Sequence, residues 1–199
     1  MAANLYLDSR ERALLEGAKV GIAGAGGLGS NCAAHLVRAG VRRLVLADFD
    51  RVEARNLNRQ FFFRDQLGMG KVEALAANLR RIEPGVELEL HPVRLEAANI
   101  PVVFSECDLV VEAFDSAEAK SLLLECLLPT GKMVVAASGI AGWGRSGEVR
   151  TRRVGRNLVL VGDGSSGVGE GLAPVSPRVG IAAAMQANAV VSLILGEPL

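Results

Sequence analysis

Residues 19–48 read KVGIAGAGGLGSNCAAHLVRAGVRRLVLAD, and this run decides the fold. Residues 19–23 are a short apolar segment with the length of a buried strand. A glycine turn follows at once, then a helical pattern over 31–39 that stops at Gly40, a natural helix terminator. A second apolar strand, 44–47, ends in Asp48. Strand, turn, helix and strand form a βαβ unit. Gly24, Gly26 and Gly29 set a G-x-G-x-x-G spacing between strand and helix. Glycines there permit a tight turn and close backbone approach, and the helix N-terminus offers unpaired amides to phosphate oxygens. Asp48 stands where a carboxylate can accept hydrogen bonds from ribose hydroxyls. The run therefore predicts a bound nucleotide without saying which one, and NAD is the commoner owner of the fingerprint.

The alternation continues outward. Helices are predicted over 71–82 and 117–128, and strands over 86–90, 108–112 and 132–137. Upstream, Asp8 and Glu11 can form a capping box for a short first helix. Continuous apolar strands interleaved with helices argue for a parallel sheet covered on both faces. The pattern then changes: 147–153 and 157–161 read as paired strands around a turn at 154–156. A glycine-rich stretch, 162–176, leads into an apolar closing helix. The expected fold is a Rossmann-like, mostly parallel α/β sheet with a C-terminal antiparallel extension and a closing helix.

Composition narrows the function classes. The 199 residues are half apolar and 22% charged, enough for one domain with a continuous core and incompatible with disordered, collagen-like or coiled-coil chains. Twenty-two basic residues balance twenty-two acidic ones, so the basic excess of a nucleic-acid binder is absent and no nucleic-acid partner is expected. Cys32, Cys107 and Cys126 lack Cys-x-x-Cys spacing, so neither zinc nor a disulfide framework is expected. The first residues lack a signal-peptide layout. The apolar run 179–195 is interrupted by Gln186, Asn188 and Ser192 and reads as a buried helix, not a membrane span. A cytoplasmic protein is expected.

Three further features bear on the nucleotide. Asn56 to Gln60 (NLNRQ) form a polar loop just past Asp48. Lys71 follows Gly68-Met69-Gly70 and starts a helix, and Asp115 follows a strand at the carboxyl edge of the sheet, where open α/β folds bind ligands. A dinucleotide has little use for an added arginine, lysine and aspartate at one pole. A triphosphate does, because two cations, Arg59 and Lys71, screen its phosphates and the Asp115 carboxylate can hold Mg²⁺.

GAGGLGS (24–30), DFDRV (48–52), NLNRQ (56–60), GKVEAL (70–75) and EAFD (112–115) together resemble the ThiF/MoeB group of ubiquitin-activating-enzyme-like adenylyltransferases. EAFDSAEAK (112–120), AASGIAGWG (136–144), RTRRV (150–154) and APVSPRV (173–179) look most like the compact "family 2" branch of ThiF. The resemblance implies one adenylation domain over 1–199, with a nucleotide-binding part near 18–137 and a carrier-binding extension and loop near 138–199. It implies ATP-dependent adenylation of the C-terminal glycine carboxylate of a small ubiquitin-like sulfur carrier, a ThiS-like protein ending in Gly-Gly, for thiamine thiazole synthesis. Gly24, Gly26, Gly27, Leu28, Gly29, Ser30, Asp48, Asp50, Asn56, Arg59, Gln60, Lys71 and Asp115 would bind ATP. Among them Asp48 would hold the ribose, Arg59 and Lys71 the phosphates, and Asp115 the magnesium at the α-phosphate. Arg59, Lys71 and Asp115 would be the catalytic set. Such chemistry demands neither His35 nor His91, which read as structural, and a homodimer is implied.

The sequence also departs from the family. Zinc-binding Cys-x-x-Cys pairs of larger relatives are missing, Ser116 stands where many relatives have asparagine, and no cysteine follows Cys126. The chain is therefore expected to stop at the acyl-adenylate. Arg10 and Arg12 are the candidates for an arginine lent to a neighbouring subunit. Within the same family the acceptor could instead be a molybdopterin carrier, a peptide or a modified tRNA base. A nucleotide-binding scaffold without chemistry is the alternative from another class.

Overall fold

The computed structural model describes residues 6–167 and 172–199. Helix α1 (Ser9–Gly17) begins with the expected capping box, in which Asp8 accepts from the Glu11 N–H and Glu11 accepts from the Asp8 N–H. Strands β1 (Lys19–Ala23), β2 (Arg43–Ala47), β3 (Glu87–His91), β4 (Leu109–Glu112) and β5 (Met133–Ala137) run parallel. Helices α2 (Gly27–Ala39), α3 (Lys71–Ile82), the short α4 (Ile100–Val103) and α5 (Ala117–Leu127) connect them. Strands β6 (Arg150–Val154) and β7 (Leu158–Gly162) follow, and α6 (Ser176–Leu195) closes the described chain.

The sheet order is β3-β2-β1-β4-β5-β7-β6, with β7 parallel to β5 and β6 antiparallel to β7. This is the expected α/β architecture with its antiparallel extension. The chain winds from β1 to β2 in one direction and returns to place β4 on the other side of β1. The carboxyl ends of β1 and β4 therefore flank the crevice where such sheets bind ligands. Two apolar cores cover the two faces. One joins α2, α3 and α6 to the sheet through Leu28, Leu36, Leu75, Leu79, Val179 and Val190. The other joins α4 and α5 through Ile100, Phe104, Leu123 and Leu127.

Several boundaries differ from the sequence reading. Helix α2 begins at Gly27, not 31, so half of the glycine motif is its first turn. Residues 146–148 form a 3-10 turn, and β6 starts only at Arg150. Helix α6 begins at Ser176, inside the stretch read as loop, because Pro177 occupies its first turn, where a missing N–H is harmless. At 20 residues with a mean hydropathy of 1.5, α6 is long and apolar enough to cross a bilayer by length and composition. Here Val179, Ala182, Ala183, Ala187 and Val190 are buried and α6 packs most extensively on α2, so one face of it is core.

Candidate active site

The glycine turn between β1 and α2 has distinct local causes. Gly24 sits at φ +98°, a conformation that side chains with a Cβ rarely adopt. A Cβ on Gly29 would overlap the Gly24 carbonyl oxygen, so that glycine lets helix and strand close together. Gly26 is different: only Gln60 Nε2, at 3.9 Å, would lie within 4 Å of its Cβ. Among the described residues nothing else fills that space, which leaves room for a ligand. No side chain caps α2 at Gly26, so its first amides face the same opening.

The opening is a cleft of about 690 Å³, within the usual size for a small-molecule site. It is walled by Gly24, Gly26, Gly27, Leu28, Asp48, Asp50, Arg59, Gln60, Lys71 and Asp115, all of them sequence candidates. Asp48 accepts from the Ala25 N–H (2.7 Å) and the Asp50 N–H (2.8 Å), which fixes it beside the turn. Burial pushes its carboxyl up from the ordinary value, against the pull of Lys71 and of those two donors. Lys71 is the first residue of α3, where the helix dipole disfavours a cation. The Asp50 carboxylate offsets this at 2.7 Å.

Arg59 and Gln60 are placed through the backbone of their loop. Asn31 Nδ2 donates to the Arg59 carbonyl (2.9 Å), and Ser30 Oγ accepts from the Phe61 N–H (2.9 Å) while donating to the Gly26 carbonyl (2.6 Å). Gly29 and Ser30 lie in the first turn of α2 and Asn56 in a 3-10 turn, and none of the three lines the cleft. Asn56 is buried, and its Oδ1 accepts from the Glu53 N–H (2.9 Å) to cap a 3-10 turn. The buried Oε1 of Gln60 has no hydrogen-bond partner among the described residues, an unmet acceptor on the wall of the cleft.

Asp115 lies between β4 and α5 and is exposed at the cleft. It does not cap α5; Ser116 does, accepting from the Ala119 N–H at 3.1 Å. Among the described residues no three His, Cys, Asp or Glu side chains come together to hold a metal. One free carboxylate in a cleft with room for phosphates fits magnesium that arrives with a nucleotide, not a resident ion in an all-protein cage.

Other wall residues escape sequence reasoning. Lys120 reaches the cleft from α5, and Arg94 stacks over the Phe49 ring with its guanidinium carbon 4.0 Å from the centroid. Ser138 and Gly139 line the side beyond β5, and Gly164 to Gly167 continue that wall, the Gly164 N–H donating to the Ser138 carbonyl at 3.1 Å. The glycine-rich stretch is pinned where it is described. Asp163 accepts from the N–H groups of Ser165 and Ser166 (both 2.8 Å) and pairs with buried Arg178, which also donates to the Gly144 carbonyl (2.6 Å). Residues 168–171 of that stretch lie outside the described residues. The two histidines, the three cysteines, Arg10 and Arg12 do not line the cleft.

These features define a doubly wound α/β domain with a charged cleft at its switch point. The chain belongs to the ThiF family, whose sequence pattern matches residues 3–199. Over 132 residues, 66% of this chain, it is 36% identical to the adenylyltransferase and sulfurtransferase UBA4 of Candida glabrata. It is 51% identical over 72 residues, 36% of this chain, to ubiquitin-like modifier-activating enzyme 5 of Drosophila melanogaster. These matches span 30% and 18% of those proteins' lengths. Among solved structures, the tRNA N6-threonylcarbamoyladenosine dehydratase TcdA of E. coli, in complex with AMP, has the same fold. The TM-score is 0.86 at 19% identity, over 94% of this chain and 90% of that one.

Proposed function

We propose that this chain is an ATP-dependent adenylyltransferase acting on the C-terminal glycine carboxylate of a small ubiquitin-like carrier, a ThiS-like protein of thiamine thiazole synthesis. The observation that carries this reading is the convergence of Asp48, Arg59, Lys71 and Asp115 on one cleft beside the open amides of α2. The fungal relative's name supports adenylyl transfer, and the fly relative's name supports an acceptor of the ubiquitin-like kind.

In this reading the ribose hydroxyls donate to Asp48 and the triphosphate runs past the α2 N-terminus between Arg59 and Lys71. Asp115 would hold magnesium, which would supply positive charge to offset that of the phosphates. An oxygen of the carrier carboxylate bonds to the α-phosphorus as the bond to the bridging oxygen of the leaving group breaks. The products are an acyl-adenylate and pyrophosphate. The nucleophile is already ionised at neutral pH, so no general base is required, and catalysis is positioning plus charge neutralisation. In this reading the chain ends its work at the acyl-adenylate, since no residue after Cys126 in this sequence is a cysteine.

The test is exchange of labelled pyrophosphate into ATP, with and without a ThiS-like carrier ending in Gly-Gly. Exchange is expected to need the carrier's intact C-terminus and to vanish in Asp115→Ala. ATP binding without exchange would overturn the reading, and a thioester or persulfide between carrier and Cys32, Cys107 or Cys126 would overturn its endpoint. The exposed Arg150, Arg152 and Arg153 of β6, on a fold shared with a tRNA-modifying enzyme, favour a second reading with a tRNA acceptor. Turnover of ATP with tRNA in place of the carrier would select it.

A further inference from the structure

Glu112 ends β4 with its side chain 1% exposed, in the middle of the sheet. A carboxylate that deep is tolerated only when paired and hydrogen-bonded. Lys120 of α5 supplies the pair. Its Nζ lies 2.9 Å from each carboxylate oxygen of Glu112 and 3.1 Å from the carbonyl oxygen of Ala137. These contacts hold the Lys120 head group between the ends of β4 and β5. Lys120 lines the cleft with its ammonium held by the protein itself.

The pair does something else. Strand pairing between β4 and β5 ends at Val111↔Val135. Beyond that point side chains tie the two strand ends together. Lys120 bridges the Glu112 carboxylate to Ala137, and Gln186 Nε2 bridges the Glu112 carbonyl (2.9 Å) to the Val135 carbonyl (3.3 Å). Glu112 Oε1 also accepts from the Phe114 N–H at 2.7 Å, fixing the backbone beside Asp115. One strand end thus carries Asp115 and the other carries Ser138 and Gly139, on two walls of the same cleft.

We propose that Lys120 and Glu112 are positioning residues that set the separation between Asp115 and the Ser138–Gly139 wall, and with it the place where the acyl carboxylate meets the α-phosphate. The last clause rests on the adenylation reading; the positioning itself does not. A misplacement of about 1 Å in such a site lowers the rate on the order of 100-fold.

Lys120→Met alone strands a buried charge and can unfold the chain, so the test uses Glu112→Gln/Lys120→Met, which removes both charges, and Lys120→Arg as the conservative rescue. Amide hydrogen exchange over 113–117 in the free protein is expected to be at least tenfold faster in the double variant and close to native in Lys120→Arg. In pyrophosphate exchange, kcat is expected to fall tenfold or more with ATP affinity within twofold of native. A general loss of structure would not give that split. Amides as protected as in the native chain would overturn the proposal, and lost protection with unchanged kcat would overturn its catalytic half. A native chain inactive with the ThiS-like carrier counts against adenylation, and the amide result then decides the positioning unit alone.

Discussion

The ammonium of Lys71 lies 2.7 Å from Oδ2 of Asp50, and its backbone N–H donates to the Asp50 carbonyl at 2.8 Å. The cation read as a phosphate ligand is thus held by a carboxylate in the free protein, with its side chain 8% exposed and that of Asp50 48% exposed. Phosphate must compete with Asp50 for it.

Asp50→Asn is therefore expected to destabilise the free protein and to enlarge the stabilisation that ATP gives. Because Asp50 is half exposed, the loss is about 1 kcal/mol, or roughly 2–4 °C in melting temperature for a chain of this size. Thermal melts with and without saturating ATP check both parts. An equal ATP-induced rise in native and variant proteins would refute the competition.

Two glycines are expected to respond in opposite directions to alanine. Gly29→Ala drives a Cβ into the Gly24 carbonyl, a backbone atom that cannot move aside, and should lose about 3 kcal/mol or more. Gly180 lies within α6, and a methyl group there would meet nothing within 4 Å outside its own helix backbone, so Gly180→Ala should gain about 0.5–1 kcal/mol. Urea denaturation midpoints decide; a stable Gly29→Ala would mean that the turn is not packed as described.

Acid should release the anchor of the glycine-rich stretch. Burial pushes the Asp163 carboxyl up, but hydrogen bonds from Ser166 and Ser165 and the Arg178 guanidinium outweigh it and hold the group well below its ordinary 3.8. A depressed carboxyl contributes stability that is full above its unfolded value and lost as pH falls below it. Asp163→Asn leaves Arg178 buried without its charge partner and is expected to lose about 3–5 kcal/mol at pH 7. The gap from native should narrow below about pH 4. A gap independent of pH would sink this account.

Thiol labelling should proceed in two stages. Cys32 is fully buried, and burial raises its thiol well above the ordinary range. Burial likewise pushes Cys107 up to about 12. Half-buried Cys126 is expected to react first with a thiol reagent, and the other two only on unfolding. Rapid labelling of three thiols in the folded protein would contradict this packing.

The parallel strands are legible because each is a continuous apolar run, as in LVLA before Asp48 and LVV before Glu112. Their spatial order is not, since nothing local says that β4 pairs with β1 instead of β3. Helix α2 reads as starting late because glycines at Gly27 and Gly29 look like loop, whereas packing against β1 favours them. Asp48, Arg59, Lys71 and Asp115 stand out by spacing from strand ends and helix starts, properties of the local chain. Lys120 and Arg94 do not, because their roles depend on partners across space: the end of β5 for one, the Phe49 ring for the other. Glu112 does leave a trace, a single charge at the end of an apolar strand that only a buried partner can tolerate. The buried turn contact of Asn56 is not legible either, because a polar side chain in a polar loop serves a turn as readily as a ligand.

The packing of α6 on α2 has a consequence for synthesis on the ribosome. Helix α2 is followed only about 140 residues later by α6, the helix that packs on it, which at roughly 5–20 residues per second is many seconds of delay. Until residues 176–195 leave the exit tunnel, the half that carries the glycine turn has an uncovered apolar flank, and a nascent chain stalled before Ser176 is the form most in need of a chaperone.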